Sequence, residues 1–523
     1  MREPVRSLQP QKIIIAMMCI AILNALGPST AGSAPPVPIP VLVRVDAPTP
    51  QLRSQLVALG LDVWDADATG LTVRAWPAQL AQVARLGYSY HLISETVSSI
   101  PVDPAYHYYA GTVAELQRIA ATYPTIVRLH MIGASLEGRP IYALKISDYP
   151  EQSEKEPGVL FFALLHGREH LSTEMALTLI RILVEGYGKD GQVTNLVNER
   201  EIWVLPNMNP DGCEYDIKGG FYQKWRKNRR PNSGGTYGVD LNRNFDYQWG
   251  CCYGSSSDPA ADTYRGPAPF SEPEIVALRD FVLAHPNITA SISFHTYSQL
   301  ILWPFGYCYD IPLDQMPIVD QATFYEIGAR MAVLNGFLAM QSSQLYITDG
   351  SSEDWLYARR GIFAFTFELY PRGDPPGFYP PGNVIPRETN RHRAALLYFM
   401  GIADNPRKVA GQGGDITAPS IILHGPPAGS FVHENVELWA EAADDNRVTL
   451  VEYLVNGQSV ALVAEPPYHI TWPAQNTLGQ CIIQARAYDA GHNIANSEPL
   501  TLHCSGAPAI RFPLFLGKRT AGG

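Results

Sequence analysis

Charge is scarce in this chain: only 17% of its 523 residues are Asp, Glu, Lys or Arg, and the net charge is −11. No long run of Lys and Arg occurs, and neutralising phosphates needs clustered cations, so nucleic acid is not an expected partner. Cysteine is sparse too, seven residues without a CxxC pair, which argues against a structural zinc knuckle. No apolar run reaches the ~20 residues of a comfortable membrane span. The composition also lacks the biases of disordered, fibrous or repeat proteins. What remains is a globular chain, 46% apolar, whose length calls for about two to four domains.

The first residues have the order of a secretory signal. Arg2, Arg6 and Lys12 precede an apolar run from Ile13 to Leu26, and small residues follow at Ser29, Ala31 and Ala34. Residues 1–31 are therefore expected to be a signal peptide, and the mature chain to be secreted and extracellular with no stable membrane insertion. The alternative is an N-terminal anchor, for which the run is short. Removing Cys19 leaves six cysteines, an even number that permits up to three disulfides in an exported protein. Adjacent Cys251 and Cys252 are not expected to bridge each other without strain. Cys481 and Cys504 are expected to join across strands, and the remaining connectivity stays open.

Three folded stretches are expected. Residues 35–100 alternate strand and helix patterns: VLVRV, QLRSQLVALG, two strands around a turn in LDVWDADATGLTVRAW, PAQLAQVARLG and YSYHLI. That is a split βαβ pattern of about 60 residues, placed like a pro-segment; a permanent small domain is the alternative. Residues 103–405 alternate apolar runs such as GVLFFALLH with helical periods such as TEMALTLIRILVEGYG. This predicts an α/β fold with a mixed central sheet and helices on both faces. Its chemistry is expected beyond the carboxyl ends of the strands. A Gly-rich linker, 406–417, leads to short alternating strands over 418–505 that predict an Ig-like β-sandwich. Residues 506–523 form a tail too short to span a membrane.

The chemistry-bearing residues sit at strand ends. LLHGREH places His166 and Glu169 three apart after a buried strand, and His295 ends the strand SISF. Two imidazoles and a carboxylate are the ligand set of a catalytic zinc site with one position left for water. Structural roles for these residues are the alternative, as is competition from His170, which should point elsewhere as its helix begins. Glu368, in FAFTFELYP, ends a third apolar strand and is a candidate general base. WRKNRR and DLNRNF cluster arginines, whose planar guanidinium suits carboxylates; a solvated basic loop is the alternative.

These motifs extend in order along the chain: HGREH, NPDG, KWRKNR, DLNRNFDYQWGCC, TYRG, HTYSQ, LYITDG, DWLY, FTFELYP and PGFYPP. Over residues 104–405 the chain resembles the zinc metallocarboxypeptidases of the carboxypeptidase A/B type, most closely the bacterial carboxypeptidase T branch. The resemblance implies a zymogen of a zinc-dependent exopeptidase acting on peptide and protein C-termini. It implies one Zn²⁺ held by His166, Glu169 and His295, and Glu368 as the base that takes a proton from the zinc-bound water. It implies Arg226 as the group that stabilises the oxyanion. Asn242 and Arg243 would clamp the terminal carboxylate, Tyr346 would close over it, and Arg168 and Tyr297 would contact substrate further away. Asp240 would orient His166. T-branch enzymes also bind calcium, so structural Ca²⁺ is a further implied cofactor, with ligands unassigned.

The pocket floor departs from the family pattern. Glu353 occupies the place that sets specificity, near Gln341, Thr348 and Thr366, while Ser351 replaces an acid of the T branch. This implies dual specificity with a preference for C-terminal Lys and Arg. The alternative is that Glu353 faces solvent or pairs with Arg359 or Arg360. Two other functions fit parts of the sequence: a peptidase of cell-wall peptides, and an inactive protein whose Ig-like domain binds a surface or another protein.

Overall fold

The computed structural model describes residues 39–94, 99–154, 156–411, 417–444, 447–489 and 493–505. The expected signal segment, the stretch 95–98, the centre of the linker and the tail lie outside the described residues. All elements below fall in the compact unit that begins at Pro40.

The first elements are β1 (Val41–Asp46), α1 (Pro50–Val57), β2 (Asp62–Asp67), β3 (Gly70–Ala75), α2 (Pro77–Arg85) and β4 (Tyr90–Ser94). The strands form an antiparallel sheet in the order β2-β3-β1-β4. Both helices begin with proline, whose fixed φ suits the first helical turn. Buried Asp62 and Trp64 alternate with the half-buried Val63 and Asp65 along β2.

The large domain follows as α3 (Tyr109–Thr122), β5 (Val127–Ala134), β6 (Pro140–Ile146), β7 (Gly158–Ala163), α4 (His170–Gly186), α5 (Gly191–Glu199), β8 (Glu201–Leu205), α6 (Pro210–Asp216), α7 (Pro273–Ala284), β9 (Ile288–Thr296), β10 (Leu300–Trp303), α8 (Ile318–Asn335), β11 (Leu338–Gln341), α9 (Ser352–Arg360), β12 (Phe363–Leu369), α10 (Ile385–Asn390) and α11 (Arg393–Ile402). Its mixed sheet has eight strands in the order β11-β10-β12-β9-β7-β8-β6-β5. The central strands β12, β9, β7 and β8 are parallel neighbours. Along β7, Val159, Phe161 and Ala163 join a core with α4, α8 and α11, whereas Leu160 and Phe162 join one with α7 and α9. Apolar side chains on both faces explain the unbroken run in the sequence: helices cover both sides.

The sandwich comprises β13 (Ser420–His424), β14 (Phe431–Val432), β15 (Asn435–Ala443), β16 (Val448–Val455), β17 (Gln458–Val463), β18 (Tyr468–Pro473), β19 (Leu478–Asp489), β20 (Ile494–Asn496) and β21 (Leu500–Ser505). A three-stranded sheet, β13-β15-β18, faces the β14-β21-β19-β16-β17 sheet, with β20 paired to β19. Their inner faces share one core that includes Leu438, Tyr453 and Trp472. The fold class is thus as read from the sequence: a mixed α/β domain between a small α+β unit and an Ig-like sandwich.

Cys481 and Cys504 form a disulfide inside the sandwich. The expectation for Cys251 and Cys252 is corrected, because the two are bonded to each other. Gln248, Gly250 and Tyr253 all take left-handed backbone angles, which wind this loop tightly. The N–H groups of Cys252 and Gly254 both donate to Asp349, at 3.2 and 2.9 Å, and pin the turn that brings the sulfurs together. Cys213 and Cys308 are free thiols.

Candidate active site

The site is assembled at the carboxyl ends of the adjacent strands β7, β9 and β12. Leu164 leaves β7 in a left-handed conformation and turns the chain outward. A Cβ at Gly167 would lie 2.5 Å from the Gly212 carbonyl carbon, so only glycine lets these two loops touch. Asn209, from NPDG, ties the same loops together: its amide donates to the Leu165 carbonyl at 3.0 Å and accepts from Gly212 at 2.9 Å.

His166, Glu169 and His295 are brought together, each at most 3% exposed, with donor atoms within 4.8 Å of one another. His166 Nδ1 lies 2.8 Å from Glu169 Oε1, and His295 Nδ1 lies 3.0 Å from Glu169 Oε2. The two Nδ1 atoms are only 3.1 Å apart. Two imidazole nitrogens facing each other beside a carboxylate suit a shared cation better than they suit one another. His166 Nε2 faces Asp240 Oδ1 at 3.1 Å, the outer carboxylate contact that orients a ligating imidazole. The donor set therefore fits zinc. His170 turns away as its helix begins and meets Asp216 at 2.9 Å.

Glu368 stands opposite His295 in the parallel pairing of β12 with β9. Burial and the neighbouring Glu169 carboxylate push its pKa up to about 8. Arg226 donates through Nε and Nη2 to Asp240 Oδ2, at 3.0 and 2.9 Å, while its Nη1 points toward Glu169 at 3.9 Å. Asp240 thus holds the His166 ring and the Arg226 guanidinium at once.

DLNRNF forms a single tight turn at Leu241–Arg243. Asn242 accepts a hydrogen bond from Ser352 N–H at 2.8 Å. Arg243 is buried and donates to two backbone carbonyls, of Gly254 at 3.0 Å and Asn242 at 2.6 Å. Among the described residues no carboxylate lies within 4.0 Å of it. Tyr346, half-buried, lines the cavity that also holds Glu169, Arg226 and Glu368.

Two expected residues stand differently from the rest. Arg168, fully buried, is engaged by the small unit: it donates to both oxygens of Asp62 at 2.8 and 3.1 Å and lies 4.1 Å over the Phe378 ring. Tyr297 is buried against the same ring. Glu353 is buried in the first turn of α9, where it accepts a bond from Ser352 Oγ at 3.3 Å. It pairs with neither arginine of the sequence alternative: Arg359 meets Glu465 and Arg360 meets the Thr449 carbonyl.

Reading residues 35–100 as a pro-segment placed that unit over the cleft but named none of its covering side chains, which are Val63, Trp64, Asp65 and Ala66 of β2. Asp65 accepts a bond from Ser298 Oγ at 2.8 Å, and Arg53 donates to the Leu345 and Gln344 carbonyls at 2.6 and 2.8 Å. Alternation in DVWDAD identifies a strand face; nothing in it identifies what the face covers.

The comparisons with known proteins agree with this geometry. The zinc carboxypeptidase family profile matches residues 112–395, and the profile of a bacterial Ig domain matches 419–495. A zinc carboxypeptidase of Saccharothrix mutabilis subsp. capreolus is 38% identical over 427 residues, covering 75% of this chain and 96% of that protein. Carboxypeptidase A1 of Rattus norvegicus is 34% identical over 305 residues, 58% of this chain and 71% of the relative. Carboxypeptidase A from Helicoverpa armigera shares the fold with a TM-score of 0.60 at 24% identity, covering 72% of this chain and 98% of that structure. The chain belongs to the zinc carboxypeptidase family, a family of metallopeptidases.

Proposed function

We propose that the trimmed chain is a secreted exopeptidase that releases C-terminal residues from peptides and proteins, preferring Lys and Arg and accepting apolar residues. One observation carries this reading. A single buried site gathers a His–Glu–His donor set, an acid, and arginines with donors to spare. Zinc held by His166, Glu169 and His295 would polarise the scissile carbonyl and acidify water. Glu368 takes the proton of the attacking water and returns it to the leaving amine. Arg226, oriented by Asp240, presents Nη1 to the oxyanion that develops only in the transition state. Arg243 and Asn242 receive the terminal carboxylate, and Tyr346 closes over it. Arg168 and Tyr297 border the path of the preceding residues.

The side-chain preference is supported by the buried Glu353 carboxylate and by polar groups of the segments that the family resemblance places at the pocket. The hydroxyls of Ser342, Thr348, Ser351 and Thr366 are buried and bonded to no described residue. Gln341 is spoken for, donating to the Phe305 and Cys308 carbonyls at 2.9 Å each. Unused hydroxyls and a carboxylate suit a long cationic side chain.

Residues 35–100 act as a pro-segment on this reading. The Asp62–Arg168 pair, the Asp65–Ser298 bond and the β2 roof support it, and cutting near 98–101 would open the site. The test is a peptide library treated with the trimmed protein, with and without a chelator. Free C-termini should be shortened stepwise, amidated ones spared, and chelation should stop the shortening. Equal cleavage of amidated peptides overturns the reading.

A further inference from the structure

Helix α9 is gripped at its two ends by different domains. Its first turn belongs to the site: Ser352 N–H holds Asn242 Oδ1, Glu353 is buried beside it, and the Asp354 carboxylate takes the N–H groups of Gly306 and Tyr307 at 2.9 and 3.2 Å. Its last turn meets the sandwich. Arg360, 3% exposed, donates to the Thr449 carbonyl in β16. Arg447 donates to the Tyr357 carbonyl at 2.8 Å and lies 5.3 Å over that ring, and Arg359 pairs with Glu465 at 3.0 Å. The carbonyl end of a helix carries partial negative charge, which offsets part of the cost that burial and the neighbouring Arg447 impose on the Arg360 guanidinium. The Tyr357 hydroxyl then donates to Asp320 at 2.7 Å, and Asp320 also receives Arg407, at 2.6 and 2.8 Å, from the segment that leads into the sandwich.

We propose that the Ig-like domain is a positioning element of the peptidase site, fixing α9 through Arg447 and the Thr449 carbonyl and thereby seating Asn242 and Glu353. The proposal rests on the reading of Asn242 and Arg243 as the carboxylate clamp. A helix of this length rises about 1.5 Å per residue, so it transmits a shift at Arg360 over roughly 12 Å to Ser352 as a rigid rod. Loosening the sandwich contact then weakens substrate binding and leaves the chemistry at Glu368, on a different element, unchanged.

The test is Arg447→Ala in the activated protein with its Ig-like domain in place. KM for a blocked dipeptide should rise about three- to tenfold with kcat held within about twofold. Amides at the start of α9 should exchange hydrogen faster, and Arg447→Lys should recover part of both effects. If Arg447→Ala fails to fold, Arg447→Met keeps the stem over Tyr357 and carries the same test. Unchanged KM with unchanged exchange overturns the proposal, as does a fall in kcat at constant KM. A parent protein without peptidase activity would sink the clamp reading, and the exchange measurement alone would then decide the coupling.

Discussion

The reading of residues 35–100 as an inhibitory segment can be tested at one carboxylate. Asp62 makes both bonds of a bidentate pair with Arg168, and the two side chains are 5% and 0% exposed. Burial raises the Asp62 pKa, but Arg168 more than offsets it, and the group lies below the ordinary carboxylate range. Asp62→Asn keeps the shape and leaves the guanidinium buried without its counter-charge. Removing one partner of a buried pair costs about 3–5 kcal/mol. The cost falls on the closed form alone, because Arg168 regains water once the small unit lifts. The low end, about 3 kcal/mol, corresponds to a roughly hundredfold rise in the open fraction. The Arg53, Ser298 and apolar contacts persist, so the unit should remain attached. The assay is hydrolysis of a blocked dipeptide by the uncut chain, compared with the trimmed enzyme. Uncut Asp62→Asn should show about a hundredfold more activity than the uncut parent, capped by the activity of the trimmed enzyme. The trimmed forms, which lack residue 62, should be identical. An uncut variant as silent as its parent refutes the reasoning.

Three further outcomes are expected. Glu368→Gln should retain zinc while turnover falls by several orders of magnitude; a loss under about tenfold would remove Glu368 from the base role. Glu353→Gln should cut kcat/KM for C-terminal Arg by at least ~10-fold, about 1.4 kcal/mol, and spare C-terminal Leu. Equal losses on both substrates would make Glu353 structural. Asp262 is pushed up to about 6 by burial and by Asp62 across the interface. The closed form therefore holds an extra proton between the ordinary carboxylate range and about pH 6, so closure weakens as pH rises through that window. Residual activity of the uncut chain should climb from pH 4.5 to 7 beyond the profile of the trimmed enzyme. Asp262→Asn should flatten the climb, and an unchanged slope would discard it.

The central strands were legible because burial on both faces leaves an unbroken apolar run, as in GVLFFALLH. The outer strands β5, β10 and β11 were not. They are short or half-exposed, and β11 reads as LAMQ with no buried residue. In the sandwich, QSVALV is hard to read as a strand because its first half is exposed on an outer strand. The clustering of His166, Glu169 and His295 could be anticipated because they stand at or just beyond the ends of recognisable strands. The individual side chains of the proposed pro-segment that make the cover could not, since Asp62 and Trp64 acquire their meaning only from Arg168 and Phe378, more than a hundred residues away. The Cys251–Cys252 bond was hidden for a similar reason. Two adjacent cysteines look unfavourable until Asp349, far along the chain, pins the loop around them.

The strand order that places the donors also dictates when they can meet. His166 and Glu169 are three residues apart, but His295 lies 129 residues beyond His166. It arrives only when β9 has paired alongside β7, a long-range parallel contact of the slow-forming kind. A chain in which β9 has not yet paired brings together only two of these donors, too few to retain a first-row ion. On the proposed ligand assignment, the ion is captured only once β9 has paired with β7, and chains whose central sheet is incomplete should retain no zinc.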